Sequence, residues 1–253
     1  MRKKLIAVLC AIVMTMCIAG CSGGGSMGES QTAQTVQGDT KTDAPIVTQP
    51  KNNLSAEEFE TAVTKDVESA IASLAAEYET LAADINSYDK YVNNIEAVET
   101  FYVKALEDTD NLGVKLRQYC IDYAENVFAS DRTNGQKYDD FEVMYDVVYE
   151  DARDDMYDEI YDGILKDAYD LFYDGILKDA YDSVGYGELS EVRTREYNSL
   201  SDVRSDVYEV CSDLGSDVYD FYSDVRGELY DGDLEKAQEK TADFQEDINK
   251  LRG

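Results

Sequence analysis

Histidine and tryptophan are absent from this 253-residue chain, proline occurs only twice, and 23 basic residues face 54 acidic ones. Each scarcity excludes something. Without an imidazole there is no Ser-His-Asp or Cys-His relay, no HExxH zinc site and no histidine proton shuttle near neutral pH. A net charge of −31 opposes nucleic acid, because phosphate binding needs clustered Lys and Arg to release counterions. Both prolines, Pro45 and Pro50, precede a long remainder that has none, so this helix breaker is missing from residues 51–253.

What is present begins with a short, strongly patterned N-terminal segment. Arg2, Lys3 and Lys4 precede an apolar run over residues 5–18, which closes in Ile18, Ala19, Gly20 and Cys21. The run is shorter than the roughly 20 apolar residues of a membrane span and suits the h-region of a signal peptide. The segment resembles a bacterial prolipoprotein signal with its lipobox, Ile18 standing where Leu is usual. The resemblance covers about the first 21 residues, and no family is identified for the rest. It implies diacylglyceryl attachment to the Cys21 sulfur, cleavage before Cys21, and a location on the extracytoplasmic face of the cell membrane. Small residues at Ala19 and Gly20 let a peptidase approach, only a thiol takes a thioether-linked lipid, and two acyl chains anchor stably where one does not. Removal of residues 1–20 takes away three basic residues and no acidic one, leaving 54 acidic against 20 basic. It also takes Cys10 and Cys17, and the lipid consumes Cys21. Cys120 and Cys211 then remain as candidates for one disulfide in an oxidising compartment, or for two buried thiols acting as small apolar fillers.

Residues 21–53 are rich in Gly, Ser, Thr and Gln and read as the lipidated Cys with a tether reaching about 30 Å on average. Helix is predicted beyond it, in a region 54–130, a loop at 131–138, and an acidic Tyr/Asp-rich repeat region 139–253. Ser55 with Glu58 forms a capping box, and Phe59, Val63, Val67, Ala70, Leu74, Tyr78, Leu81 and Ile85 follow in steps of three and four. Residues 86–89 predict a turn. A second stripe runs through Ile95, Val98, Tyr102, Leu106, Leu116, Cys120, Tyr123 and Val127, with a candidate break at Gly113. Asp139 with Glu142 marks a second helix start.

From Tyr145 the chain repeats every twelve residues: YDVVYEDARDDM, YDEIYDGILKDA, YDLFYDGILKDA, then the decayed YDSVGYGELSEV. From Ser190 it repeats every eleven: SEVRTREYNSL, SDVRSDVYEVC, SDLGSDVYDFY, SDVRGELYDGD. Eleven residues make three turns of about 3.67, so the stripe from Leu189 to Leu229 drifts little; its one failure is Glu196. The twelve-residue period conflicts with an ideal helix. Apolar residues from Met144 to Val184 recur at every fourth position, which rotates about 40° per step in an α-helix. Such a ridge must wrap around its helix or be interrupted, and Gly163, Gly175, Gly185 and Gly187 mark where. A terminal helix is predicted from Leu234. The fold class is therefore all-α, an elongated helical bundle or coiled coil, because each stripe needs another helix to cover it.

Of the 20 tyrosines, 13 fall between Tyr145 and Tyr230, most beside Asp. Their rings either pack at helix interfaces with the hydroxyls in water, or offer faces to sugars and cations. Asp108, Asp110 and Gly113 match three positions of an EF-hand loop, but Leu112 and Tyr119 occupy ligand positions, and the match reads as chance. No metal site, cofactor or catalytic residue is assigned, and the chain is not read as an enzyme. The expected role is structural: a spacer or partner-binding surface whose acidic helices attract basic proteins or cations, with homo-oligomerisation through helix packing as a further option. A lipoprotein capturing divalent cations or a cationic solute is the alternative, and a carboxylate-based hydrolase ranks third.

Overall fold

The computed structural model describes residues 54–184 and 187–252, so the signal, lipidation and tether expectations for residues 1–53 lie outside the described residues. Seven helices account for nearly all of them: α1 Ala56–Asp84, α2 Tyr88–Asn93, α3 Ile95–Ala129, α4 Asn134–Asp140, α5 over residues 142–184, α6 Glu188–Asp231 and α7 Leu234–Leu251. No strand occurs among the described residues, and the all-α class is observed.

Local chemistry sets the helix ends. Ser55 Oγ accepts the Glu58 N–H and the Glu58 carboxylate accepts the Ser55 N–H at 2.9 Å, a reciprocal pair that starts α1. The chain reverses at residues 85–87, and Ser87 caps α2. The predicted loop 131–138 is shorter than its composition suggests. Thr133 and Gln136 form a second capping box, so α4 starts at Asn134, and Asp139 lies inside α4 where the sequence pattern places a helix start. Lys137 on α4 is buried and donates from Nζ to the Phe128 carbonyl at 2.8 Å, satisfying an orphan acceptor in the last turn of α3. Gly232, at φ +83°, closes α6, with the Asp233 N–H donating to the Glu228 carbonyl at 2.8 Å; Asp233 then caps α7.

These ends fix a four-cornered bundle. α1 packs on α3 and α5, and α6 packs on the same two, which puts α1 opposite α6 and α3 opposite α5. Phe59 stacks on Tyr123 and Tyr78 meets Phe101, so α1 and α3 are antiparallel. Tyr102 bonds Glu196 and Arg117 pairs with Asp217, so α3 and α6 are parallel. α4 carries the chain across one end of the bundle. α7 folds back along α6 and α3 through a Phe221–Phe244 ring stack and a Gln118–Gln245 side-chain pair. Gly113 does not break α3. A Cβ there would stand 3.2 Å from Arg117 Nη1 and 3.5 Å from Val210 Cγ1, so its bareness serves the approach of α6.

The helix α5 neither wraps its ridge around neighbours nor breaks at Gly163 or Gly175; it changes its winding. Three π-helical stretches, Tyr145–Ala152, Met156–Ile164 and Tyr169–Leu177, alternate with α turns, one in each of the first three twelve-residue copies, while the backbone stays right-handed helical across every junction. A ridge recurring every fourth residue stays on one face only if the helix makes about four residues per turn, which a mixture of α turns and wider π turns supplies. Met144, Val148, Ala152, Met156, Ile160, Ile164, Ala168 and Phe172 are consequently all buried. In an α-helix those seven steps would carry the ridge about 280° around the axis. Each large side chain kept inside contributes about 1.5–3 kcal/mol, enough together to offset poorer π hydrogen bonds.

The glycines fit this winding. A Cβ on Gly163 would lie 3.3 Å from the Asp158 carbonyl oxygen, and one on Gly175 would lie 3.1 Å from that of Asp170, five residues back in each case. Gly227 on α6 has nothing within 4 Å of such a Cβ. Gly227→Ala is therefore expected to stabilise the fold by about 0.5–1 kcal/mol, whereas Gly175→Ala lowers stability despite the same gain in helix propensity. Thermal melts followed by circular dichroism test this; equal stabilisation by both would refute the π winding.

Candidate functional site

Along the seam between α5 and α6 the two repeats meet rung by rung. In each of the first three twelve-residue copies the first and fifth residues are tyrosines one turn apart, and their rings stack: Tyr145 on Tyr149 at 4.7 Å, Tyr157 on Tyr161 at 4.9 Å, and Tyr169 beside Tyr173 at 5.0 Å. Each pair meets one tyrosine of the antiparallel eleven-residue repeat. Tyr219 faces the first, Tyr208 the second and Tyr197 reaches Tyr173 of the third, with centroids 5.5–6.4 Å apart. Twelve residues on one helix thus span the same three turns as eleven on the other. Two α-helices with these periods would slip one residue per rung, and the π stretches absorb that slip.

Arginines fill the seam. Arg193 lies 4.5 Å above Tyr173 and 5.1 Å from Tyr181, Arg204 lies 4.5 Å above Tyr161, and Arg226 lies 3.8 Å above Tyr138. The eleven-residue repeat puts these arginines at one offset, four before an outward tyrosine, and at that offset the third copy has Gly215. There the facing helix supplies the cation: Arg153 lies 4.3 Å above Tyr149, and a Cβ on Gly215 would come within 2.9 Å of its Cδ. The exchange of Arg for Gly on α6 and its replacement from α5 keeps one guanidinium at every rung. The Nε atoms of Arg193, Arg204 and Arg226 are buried without a hydrogen-bond partner, as expected of guanidinium planes held flat on rings. The sequence reading missed these arginines, although the Arg-x-x-x-Tyr offset was legible in the aligned copies.

A second polar constellation sits inside the bundle. Glu196, where the α6 stripe fails, is 1% exposed and is the only buried acid among the described residues. Tyr102 donates its hydroxyl to Glu196 Oε1 at 2.5 Å and Tyr91 donates to Oε2. The stripe therefore continues across Glu196, with the carboxylate satisfied by tyrosines from α2 and α3. Burial raises its pKa above the ordinary value of 4.5 while the two hydroxyls pull it back down. Both hydroxyls are pushed well above 10 by burial and by Glu196 itself, so they remain donors. Outside this cluster Arg195 makes a two-pronged pair with Glu99 at 2.6 Å.

Cys120 and Cys211 are separate buried thiols with no disulfide between them, and burial raises both pKa values, that of Cys211 to about 11. Low thiolate content suits apolar filling. Asp108, Asp110 and Gly113 lie within the continuous α3, so no calcium loop forms there. No group of three or more ligating side chains gathers for a metal among the described residues. On the outer face of α5, Lys166 pairs with Asp170 at 2.5 Å and Lys178 with Asp182 at 3.7 Å, while Asp162 turns across the seam to Arg204 at 3.9 Å. A groove of about 640 Å³ between α3 and α7 is lined by Ile121, Phe128, Thr241 and Gln245 among others. It brings no pair of carboxylates together. Cys21, with Ile18, Ala19 and Gly20, is outside the described residues.

Compared with known protein families, curated proteins and solved structures, the chain matches none.

The Glu196 cluster carries a pH signature. A carboxyl whose folded pKa is raised contributes stability that is present below about 4.5 and is lost as pH rises through the folded value. Glu196→Gln keeps one acceptor and adds a donor, without the buried charge. Its stability relative to the parent protein should rise from pH 4 upward and then level off, as measured by denaturant unfolding; a pH-independent difference would sink the assignment. Tyr102→Phe, which strips one donor from the carboxylate, should cost about 1.5–3 kcal/mol at pH 7.

Proposed function

We propose that this chain is a lipid-anchored, extracytoplasmic helical protein that acts as a spacer and partner-binding surface for basic ligands, without catalysis. One observation carries this reading: an apolar core sealed inside a bundle whose outer faces are acidic. Residues 141–253 contain 32 acidic and 11 basic residues, and among the described acids only Glu196 is buried. Charge of that density opposes association with anionic lipid and favours cationic partners. At 44 residues α6 is about 66 Å long, a rigid element on which to hold such a surface away from a membrane. The lipidation half of the proposal rests on the residues ending in Cys21. Among the described residues no helix is long and apolar enough to cross a membrane.

Two measurements test it. Cys21→Ser should abolish incorporation of labelled fatty acid and leave an uncleaved precursor; labelling that persists would remove the anchor from the account. Heating in rising NaCl or CaCl₂ should raise the melting temperature to a similar degree at matched ionic strength, because relief of self-repulsion needs only screening. Saturable calcium binding of fixed stoichiometry would instead favour cation capture.

A further inference from the structure

The four exposed aromatic residues of α6 are Tyr197, Tyr208, Tyr219 and Tyr230, at 46, 52, 47 and 80% exposure, each eleven residues from the next. On an α-helix that interval is about 16.5 Å and three turns, so the four rings stand in one slowly drifting row. The guanidinium planes of the chain lie over Tyr138, Tyr149, Tyr161, Tyr173, Tyr181 and Tyr222, and none lies over these four among the described residues. Beside the first three run exposed carboxylates at one repeat position, Glu150, Asp162 and Asp174, each five residues after the leading tyrosine of its copy. Burial raises the pKa values of Tyr145, Tyr157 and Tyr169, and those three carboxylates add to the shift, which sets each acid beside its rung. Each of these three rungs thus brings a carboxylate near an outward ring, the two groups that hold an arginine, and at the middle rung Asp162 also faces Arg204 at 3.9 Å.

We propose that the Tyr197–Tyr208–Tyr219–Tyr230 row is a docking ruler for an extended, arginine-bearing polypeptide segment, read at intervals of about 16.5 Å. This rests on the partner-binding reading above and names the partner's chemistry. The choice of arginine follows from the seam itself, where four guanidiniums already stack on tyrosines of the same repeats, and from the charge of the surface. Glycans would use the rings but not the acids beside three of them. An extended peptide advances about 3.3 Å per residue, so arginines at every fifth position match the ruler.

The test uses the full lipidated chain in neutral detergent and two peptides of one composition, each with four arginines in a Gly/Ser background, either at every fifth position or contiguous. At physiological salt the spaced peptide should bind about tenfold more tightly, since linked modest contacts multiply when geometry allows them together. In the triple variant Tyr197→Ser, Tyr208→Ser, Tyr219→Ser, shown folded by circular dichroism, that preference should vanish. Equal affinity of the two peptides for the unaltered protein needs no variant, and it would overturn the ruler while leaving the acidic partner-binding surface in place. Failure of both to bind would overturn that reading too. Displacement of the spaced peptide by an uncharged oligosaccharide would reject the arginine assignment.

Discussion

Burial of an apolar residue at every fourth position of α5 is the constraint from which the rest of the domain follows. An α-helix cannot keep such a ridge on one side, and a stretch without proline has no simple place to break it. The backbone yields instead. Three π stretches bring the mean winding toward four residues per turn, and eight successive ridge residues from Met144 to Phe172 are buried in a helix that packs on α1 and α6. The hydrophobic term is larger than the cost of wider turns because each step removes a whole side chain from water. Gly163 and Gly175 belong to the same solution, since a methyl at either position would press on a carbonyl five residues back.

That winding also allows two helices of unequal period to stay in register. The twelve-residue and eleven-residue repeats look like separate low-complexity segments in sequence, but antiparallel across one seam they are the two halves of a single ladder. The exchange at Gly215 and Arg153 shows how specific the match is: where α6 lacks its arginine, α5 provides one into the space the glycine leaves. A guanidinium held on a ring and close to carboxylates carries its charge into a half-buried seam at low cost, which counters the surrounding acidity. The basic residues are few, and several of them are spent inside this seam. The outward surface is left acidic, with a row of ring faces at regular intervals, and that surface supports the functional proposal.

Glu196 shows the opposite use of a charged group. It occupies a core position of the stripe and is held by hydroxyls from α2 and α3. A leucine there would add apolar burial, but it would leave Tyr91 and Tyr102 without acceptors in the interior. The cluster ties the reversal between α1 and α3 to the start of α6, at the end of the bundle where α5 hands the chain to α6. Two parallel helices, α3 and α6, are thereby set in one axial register, and Arg117 with Asp217 repeats the fixation further along.

The sequence alone determined the helices, because periodicity of three and four, the Ser55 cap and the lack of proline are local properties. It also made the conflict in α5 legible, as a ridge that no α-helix accommodates. It did not determine how that conflict resolves. Wrapping, breaking and unwinding differ only in what the neighbouring helices bury, and that is decided by packing. Likewise the failure at Glu196 was visible in the stripe, but its two partners lie 94 and 105 residues away and came within reach only through folding. Thr133 with Gln136 was masked by the loop-like composition of residues 131–136, which carry the capping signal only in their spacing. The alternation of Cys120 and Cys211 between bridge and filler was open for the same reason: a disulfide requires approach of two distant positions, and in the bundle both are free, buried thiols.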